Sequence, residues 1–308
     1  MDPKYLTHIK RSRISPELTE AIQWLSELGI DVKKGRFSNY ANDVLALESG
    51  LSKEQTADMY DSGLEVNDLI MIHKGLSHLK DDEFCFKLRK YIEGPKHAQD
   101  ERKDGASHIA RNTGFELLIA SLFSLAGFKV DFEGAFDVRV TDRDNVFYIE
   151  CKRPRSHSSL KKNMQIMYSQ LEHRYREHDQ LNPPRGLAVV SITKIVNPTN
   201  GTLPVERPDD AFQKCEKIFS DFLDQHKTIW YRNLHEDTMA VLLYLQLTVL
   251  AKGYTGTFFH RQFWGIYVRP GHYGDIKDLD LDRMYFHYIV QRLNAGSRLA
   301  FQEKTENS

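Results

Sequence analysis

The chain has 308 residues, with 42 lysines and arginines against 43 aspartates and glutamates and a formal charge of −1. That balance lacks the globally basic footprint of an obvious nucleic-acid binder. Hydrophobic residues at 41% and charged residues at 28% are ordinary for a folded chain and argue against disorder.

The first ninety or so residues read as helices only. Ser15-Pro16-Glu17 is a helix-start signal, a capping hydroxyl followed by proline at the first helical position. Leu18, Ile22, Leu25 and Leu28 follow at helical spacing, and Gly29 is a stop. Ser52 and Gln55 suit a capping box. Further helices are expected over Asp68–Leu79 and Asp81–Ile92, the last closed by Gly94-Pro95. This region carries no catalytic cluster and reads as a scaffold or partner-binding unit.

The polar run 96–104 (KHAQDERKD) is expected to be a linker. A helix is predicted over Ser107–Ala126, ending at Gly127. Three β-rich runs follow, Phe128–Phe132, Phe136–Thr141 and Val146–Cys151. Asp142-Arg143-Asp144-Asn145 supplies hairpin-turn chemistry between the last two. Ser158–His178 reads as a helix and Gly186–Thr193 as a buried strand. Asp209–His226 reads as an amphipathic helix. Thr238–Ala251 is a long central strand or a buried helix, and periodicity alone does not decide. Gln262–Arg269 is another strand, Asp280–Leu293 a closing helix, and the tail after Gln302 is expected to fray.

The placement of four residues carries chemistry. Glu116 lies inside the helix that opens the second region, and Asp137 is expected on the second strand. Glu150 and Lys152 stand one residue apart on the third, so they project to one side while Cys151 points to the other. The hairpin brings Asp137 beside Glu150. Two carboxylates and an ammonium at one sheet edge suit a hard divalent cation such as magnesium. They also suit in-line phosphodiester attack, with the lysine orienting water and offsetting developing charge.

The string FELLIASLFSLAGFKVDFEGAFDVRVTDRDNVFYIECKRPRS resembles the PD-(D/E)xK nuclease superfamily. Its order is helix, strand, strand with Asp, strand with Glu-x-Lys, helix, strand, here over about Gly105–Thr193. Asp137 matches the Asp, Glu150-Cys151-Lys152 the Glu-x-Lys, and Glu116 the carboxylate that many members carry on the first helix. The ECK spelling is similar to Mrr-like restriction enzymes. Phe136 stands where the motif's proline would be.

The resemblance implies an α/β restriction-endonuclease-like αβββαβ core. Magnesium, or manganese in its place, would be held by Asp137, Glu150 and the Cys151 carbonyl, with Lys152 acting on the water. Glu116 would assist a metal or hold the site together. Some members carry a glutamine-tyrosine signature on the following helix, for which Gln170 is the candidate.

Local charge agrees. Between Cys151 and His178, the seven cations Lys152, Arg153, Arg155, Lys161, Lys162, Arg174 and Arg176 face only Glu172 and Glu177. Arg153 and Arg155, with Lys161 and Lys162, are the candidates for phosphate-backbone contact. Arg102, Lys103 and Arg111 form a second basic group. His260-Arg261 near Phe259 and Trp264 could stack on bases, but packing is the stronger reading. Cys151 reads as a buried strand residue.

The expectation is therefore a helical region at 1–95, a nuclease-like domain at 96–270, and a closing helix and tail at 271–308. The partner expected is DNA before RNA, with defence against foreign DNA as the family analogy. No GxxxxGK[ST] loop is present, so any translocation would come from a separate ATPase or helicase. A homodimer is a further expectation of the family. The alternative is a catalytically silent protein of the same fold that binds nucleic acid or assembles a complex. Met1-Asp2-Pro3-Lys4 begins no apolar signal run. The 14-residue Thr238–Ala251 run falls short of the roughly 20 apolar residues of a membrane helix. Both point to a cytoplasmic setting without membrane contact.

Overall fold

A computed structural model describes residues 6–8, 11–32, 36–37, 40, 56–93, 107–132, 136–143, 145–176, 185–207, 210–230, 238–252, 258–268 and 276–299. The chain is mixed α/β. Its strands are β1 (Leu6–His8), β2 (Lys129–Asp131), β3 (Val138–Asp142), β4 (Asn145–Lys152), β5 (Arg185–Ser191), β6 (Leu203–Val205), β7 (Thr238–Ala251) and β8 (Phe258–Tyr267). Its helices are α1 (Arg11–Glu27), α2 (Thr56–Leu76), α3 (Asp82–Ile92), α4 (Ser107–Leu125), α5 (His157–Arg176), α6 (Thr193–Val196), α7 (Asp210–His226) and α8 (Ile276–Leu299). No helix among the described residues is long and apolar enough to cross a membrane.

One sheet runs in the order β1-β8-β7-β5-β4-β3-β2, with β6 pairing on β7 beyond the end of β5. β2, β3 and β4 are antiparallel neighbours, whereas β4, β5 and β7 run parallel. Parallel strands need crossovers, and α5 supplies the one between β4 and β5.

Helices cover both faces of this sheet. Leu187 and Val189 of β5, with Ala240, Leu242 and Tyr244 of β7, pack into a cluster with α1, α2, α3, α4 and α8. Ala188 and Val190, with Val241, Leu243 and Leu245, pack into a second cluster with α5 and α7. Both faces of β7 are thus buried, so its run is mostly apolar, with Thr238, Gln246 and Thr248 as its polar members. This resolves Thr238–Ala251 as a strand. The first cluster spans Leu18 to Leu293, so the segments 1–95, 96–270 and 271–308 contribute to one core.

Several elements differ from expectation. The first region is not helical throughout, because Leu6–His8 forms an edge strand on β8. Three residues are too few to carry a readable alternation. α1 begins at Arg11, and Pro16 lies inside it instead of at its start. The helix loses the one bond that an N–H at 16 would make to the Ser12 carbonyl. The helix expected from Asp68 begins at Thr56, β8 begins at Phe258, and the closing helix extends over Ile276–Leu299. Ser52, Gln55, the run 96–104 and the tail after Gln302 lie outside the described residues.

The expected glycine stops have a common geometry. Gly29 and Gly127 adopt φ of 70° and 84°, the left-handed region where glycine has no Cβ penalty. The next residue then donates back across the turn, Ile30 N to Leu25 O at 2.9 Å and Phe128 N to Phe123 O at 3.1 Å. Ile30 and Phe128 are themselves buried, which locks the exit of each helix. The Phe128 exit sends the chain from α4 directly into β2.

Candidate active site

The β3–β4 hairpin closes tightly, with Asp142 paired to Asn145 and Arg143 at φ 55°. Its register pairs Val138 with Ile149. Continued one position, that register sets Asp137 opposite Glu150. Asp137 lies just before β3, a correction to the expectation that it sits on the strand. Its carboxylate takes over where the ladder stops: the Cys151 N–H donates to Asp137 Oδ2 at 2.7 Å. Phe136 stacks on Tyr148 with ring centroids 3.8 Å apart. That contact anchors the approach to Asp137.

Alternation along β4 separates the next three residues. Cys151 joins Phe147 and Ile149 in the first apolar cluster, while Tyr148 belongs to the second. Glu150 and Lys152 share the Tyr148 side. The Glu150 side chain is 1% exposed. Lys152 Nζ lies 3.5 Å from Glu150 Oε2 and 3.9 Å from Asp137 Oδ2. The two carboxylates therefore converge on one ammonium. Burial pushes the Cys151 thiol far above its ordinary range, and the charges of Asp137 and Glu116 add to this. The thiol is therefore inert as a nucleophile.

Glu116 comes from α4 and is met by a residue that the sequence reading missed. Lys87 Nζ of α3 lies 2.7 Å from Glu116 Oε2, each side chain 15% exposed. Burial works against the Lys87 charge, but Glu116 and then Asp137 outweigh it and raise its pKa. Burial and then the Asp137 charge raise the Glu116 pKa, opposed by Lys87 and Lys152. Glu116, Asp137, Lys87 and Lys152 thus form one electrostatic neighbourhood. A signal for Lys87 existed in the sequence. It falls between Phe84 and Tyr91 on the apolar stripe of α3, where a lysine needs a partner.

Among the described residues, no group of three or more His, Cys, Asp or Glu side chains is arranged to hold a metal ion. Two carboxylates beside a lysine fit a different requirement. Magnesium takes one or two carboxylates and completes its shell with waters, carbonyl oxygens or substrate phosphate. The all-oxygen donor set of Asp137 and Glu150 suits such a hard cation better than it suits zinc, which favours nitrogen and sulfur ligands.

The remaining candidates differ in burial. Arg153 is half-buried and lines a cavity beside the site. Arg155, Lys161 and Lys162 are exposed where α5 begins, opposite its buried Leu160, Met164 and Met167. Gln170 is half-buried on α5, and its Oε1 has no hydrogen-bond partner among the described residues. Arg111 belongs to no exposed groove: it is buried and its Nε donates to Glu65 Oε1 at 2.8 Å. His260 and Arg261 are buried as well, in keeping with packing. Arg102 and Lys103 lie outside the described residues, as do the side chains of Arg174 and Arg176.

The chain matches no known protein-family model and no curated protein.

Proposed function

We propose that the chain is a magnesium-dependent nuclease that hydrolyses phosphodiester bonds of DNA. The observation that carries this reading is the convergence of Asp137 and Glu150 on Lys152, at 3.9 and 3.5 Å. An ordinary surface hairpin would turn such charges into solvent, yet Glu150 is buried and Asp137 is tied to the Cys151 amide. The path α4, β2, β3, β4, α5, β5, with antiparallel pairing up to β4 and parallel pairing after it, supports a restriction-endonuclease-like core.

Asp137 and Glu150 would hold magnesium, or manganese in its place, with the Cys151 carbonyl as a third oxygen. The ion would supply Lewis-acid stabilisation of the charge that builds on the phosphoryl oxygens. The protein's own groups do the rest. The Cys151 N–H fixes one Asp137 oxygen, leaving the other for the ion. Lys152 orients a water for in-line attack and balances negative charge in the transition state. Lys87 holds Glu116 at the rim of the same neighbourhood. Exposed Arg155, Lys161 and Lys162 give a cationic approach for the strand backbone, which makes affinity salt-dependent.

The test is incubation with plasmid, linear and single-stranded DNA and with RNA, in magnesium or EDTA. Wild type is expected to cut DNA with magnesium only. Asp137→Ala and Lys152→Ala are each expected to lose about 10²-fold or more. Cleavage that survives either substitution would place the chemistry elsewhere.

A further inference from the structure

A partly open cavity of about 100 Å³ lies between α2, α4 and the carboxyl ends of β4 and β5. Arg153, the residue after Lys152, and Phe115, the residue before Glu116, both line it. Carboxyl ends of parallel strands are where open α/β sheets bind their ligands. Pockets for drug-sized molecules run to about 300–1,000 Å³, and a water occupies about 30 Å³. This cavity therefore admits a group of a few heavy atoms and not a whole nucleotide.

Its walls are charged, and cations prevail. Arg36, Arg111, Arg153 and Lys194 line it against Asp61, Glu65 and Asp68. Each carboxylate is already engaged by protein donors. Glu65 accepts from Arg111 Nε at 2.8 Å and pairs with Arg36 Nη2 at 3.1 Å. Burial alone would raise the Glu65 pKa, but the two arginines outweigh it and bring it to about 2. Asp68 accepts from Arg261 Nη2 at 2.6 Å and Gln246 Nε2 at 2.8 Å. Asp61 accepts from Asn200 Nδ2 at 2.7 Å, and Asn200 is also bonded by Lys194. With Arg261 behind Asp68, the cavity carries more positive than negative charge. Arg36 is buried, and its Nε and Nη1 have no hydrogen-bond partner among the described residues.

We propose that this cavity binds one phosphate-class dianion, the phosphomonoester of a nucleic-acid end or of a free mononucleotide, beside the catalytic carboxylates. The size selects the phosphate over the rest of the nucleotide, and a dianion matches several cations lining one cavity better than a carboxylate does. The binding itself does not depend on catalysis; only the strand-end source rests on the nuclease reading.

Calorimetric titration of the full chain with inorganic phosphate and with adenosine 5′-monophosphate tests it. Wild type and Asp137→Ala should bind both alike. Lys194→Gln and Arg153→Gln, which change half-buried positions, should bind about tenfold weaker or worse, and Lys194→Arg should restore binding. A second arm compares magnesium-dependent cleavage of 5′-phosphorylated and 5′-hydroxyl linear DNA. Faster cleavage of the phosphorylated ends, lost in Lys194→Gln, assigns the strand end. Equal cleavage with mononucleotide binding intact assigns the free nucleotide. No phosphate binding by wild type, or equal binding by wild type and Lys194→Gln, overturns the proposal. Loss of the nuclease reading alone would leave the titrations unchanged.

Discussion

Lys87 of α3 and Glu116 of α4 meet at 2.7 Å beside Asp137, so the helical first region contributes a side chain to the candidate active site. α3 enters with its own cap, Asp81 Oδ1 accepting from Phe84 N at 2.8 Å, and buries Phe84, Leu88 and Tyr91 against the core. Lys87 is carried in on that stripe. Lys87→Gln should leave the fold intact but Glu116 without its cation. Urea unfolding should show a loss of about 1–3 kcal/mol. Cleavage should fall as well, because Glu116 would then be free to move toward Asp137 or to take up a proton. An unchanged cleavage rate with the stability loss present would make the pair purely structural.

Magnesium should stabilise the folded chain if Asp137 and Glu150 hold it. A ligand at a hundred times its dissociation constant adds about 2.7 kcal/mol to stability. Thermal melting should therefore rise by a few degrees with magnesium and return with EDTA. Asp137→Ala should remove the rise. The same shift in wild type and Asp137→Ala would locate the metal elsewhere.

Much of the candidate site was legible because it lies within one hairpin and the helices around it. Turn chemistry at Asp142–Asn145 and the i, i+2 spacing of Glu150 and Lys152 set the geometry locally, and the register carries Asp137 opposite Glu150. What escaped was long-range. Lys87 meets Glu116 across 29 residues of sequence, and Asp68 meets Arg261 across 193. Such pairs follow from how α2 and α3 dock on the sheet, which no local period encodes. The edge strand Leu6–His8 is too short to show an alternation of its own, and its partner is β8 near the other end of the chain. Thr238–Ala251 was ambiguous because both faces of β7 are covered, which erases the alternation that marks a half-buried strand.

The Arg261–Asp68 pair fastens α2 to β8. Arg261 Nη2 lies 2.6 Å from Asp68 Oδ1, and the arginine side chain is 1% exposed. Gln246 of β7 donates to the same oxygen. Arg261→Met removes one partner and leaves a carboxylate largely enclosed, which costs about 3–5 kcal/mol in comparable buried pairs. Chemical denaturation should register that loss. The double change Arg261→Met with Asp68→Leu should recover much of it, since no uncompensated charge remains. If the double variant is no more stable than the single one, the pair's main role is to direct packing and not to neutralise charge.

The His226–His157 pair should make stability depend on mildly acidic pH. His226 closes α7, buried between Phe222 and Trp230, and its Nε2 lies 2.8 Å from His157 Nδ1. Burial lowers the His226 pKa below the ordinary 6.5, and the neighbouring His157 lowers it further. The unfolded chain thus binds a proton at this residue more readily than the folded chain does. The resulting stability is fully present above about pH 6.5 and is lost as pH falls through the folded-state value. Melting temperatures measured from pH 7.5 to 5 should fall more steeply for wild type than for His226→Gln, which cannot titrate there. His157→Ala should reduce the slope only in part, because burial, the larger cause, stays. Identical slopes for wild type and His226→Gln would assign the acid sensitivity to other groups.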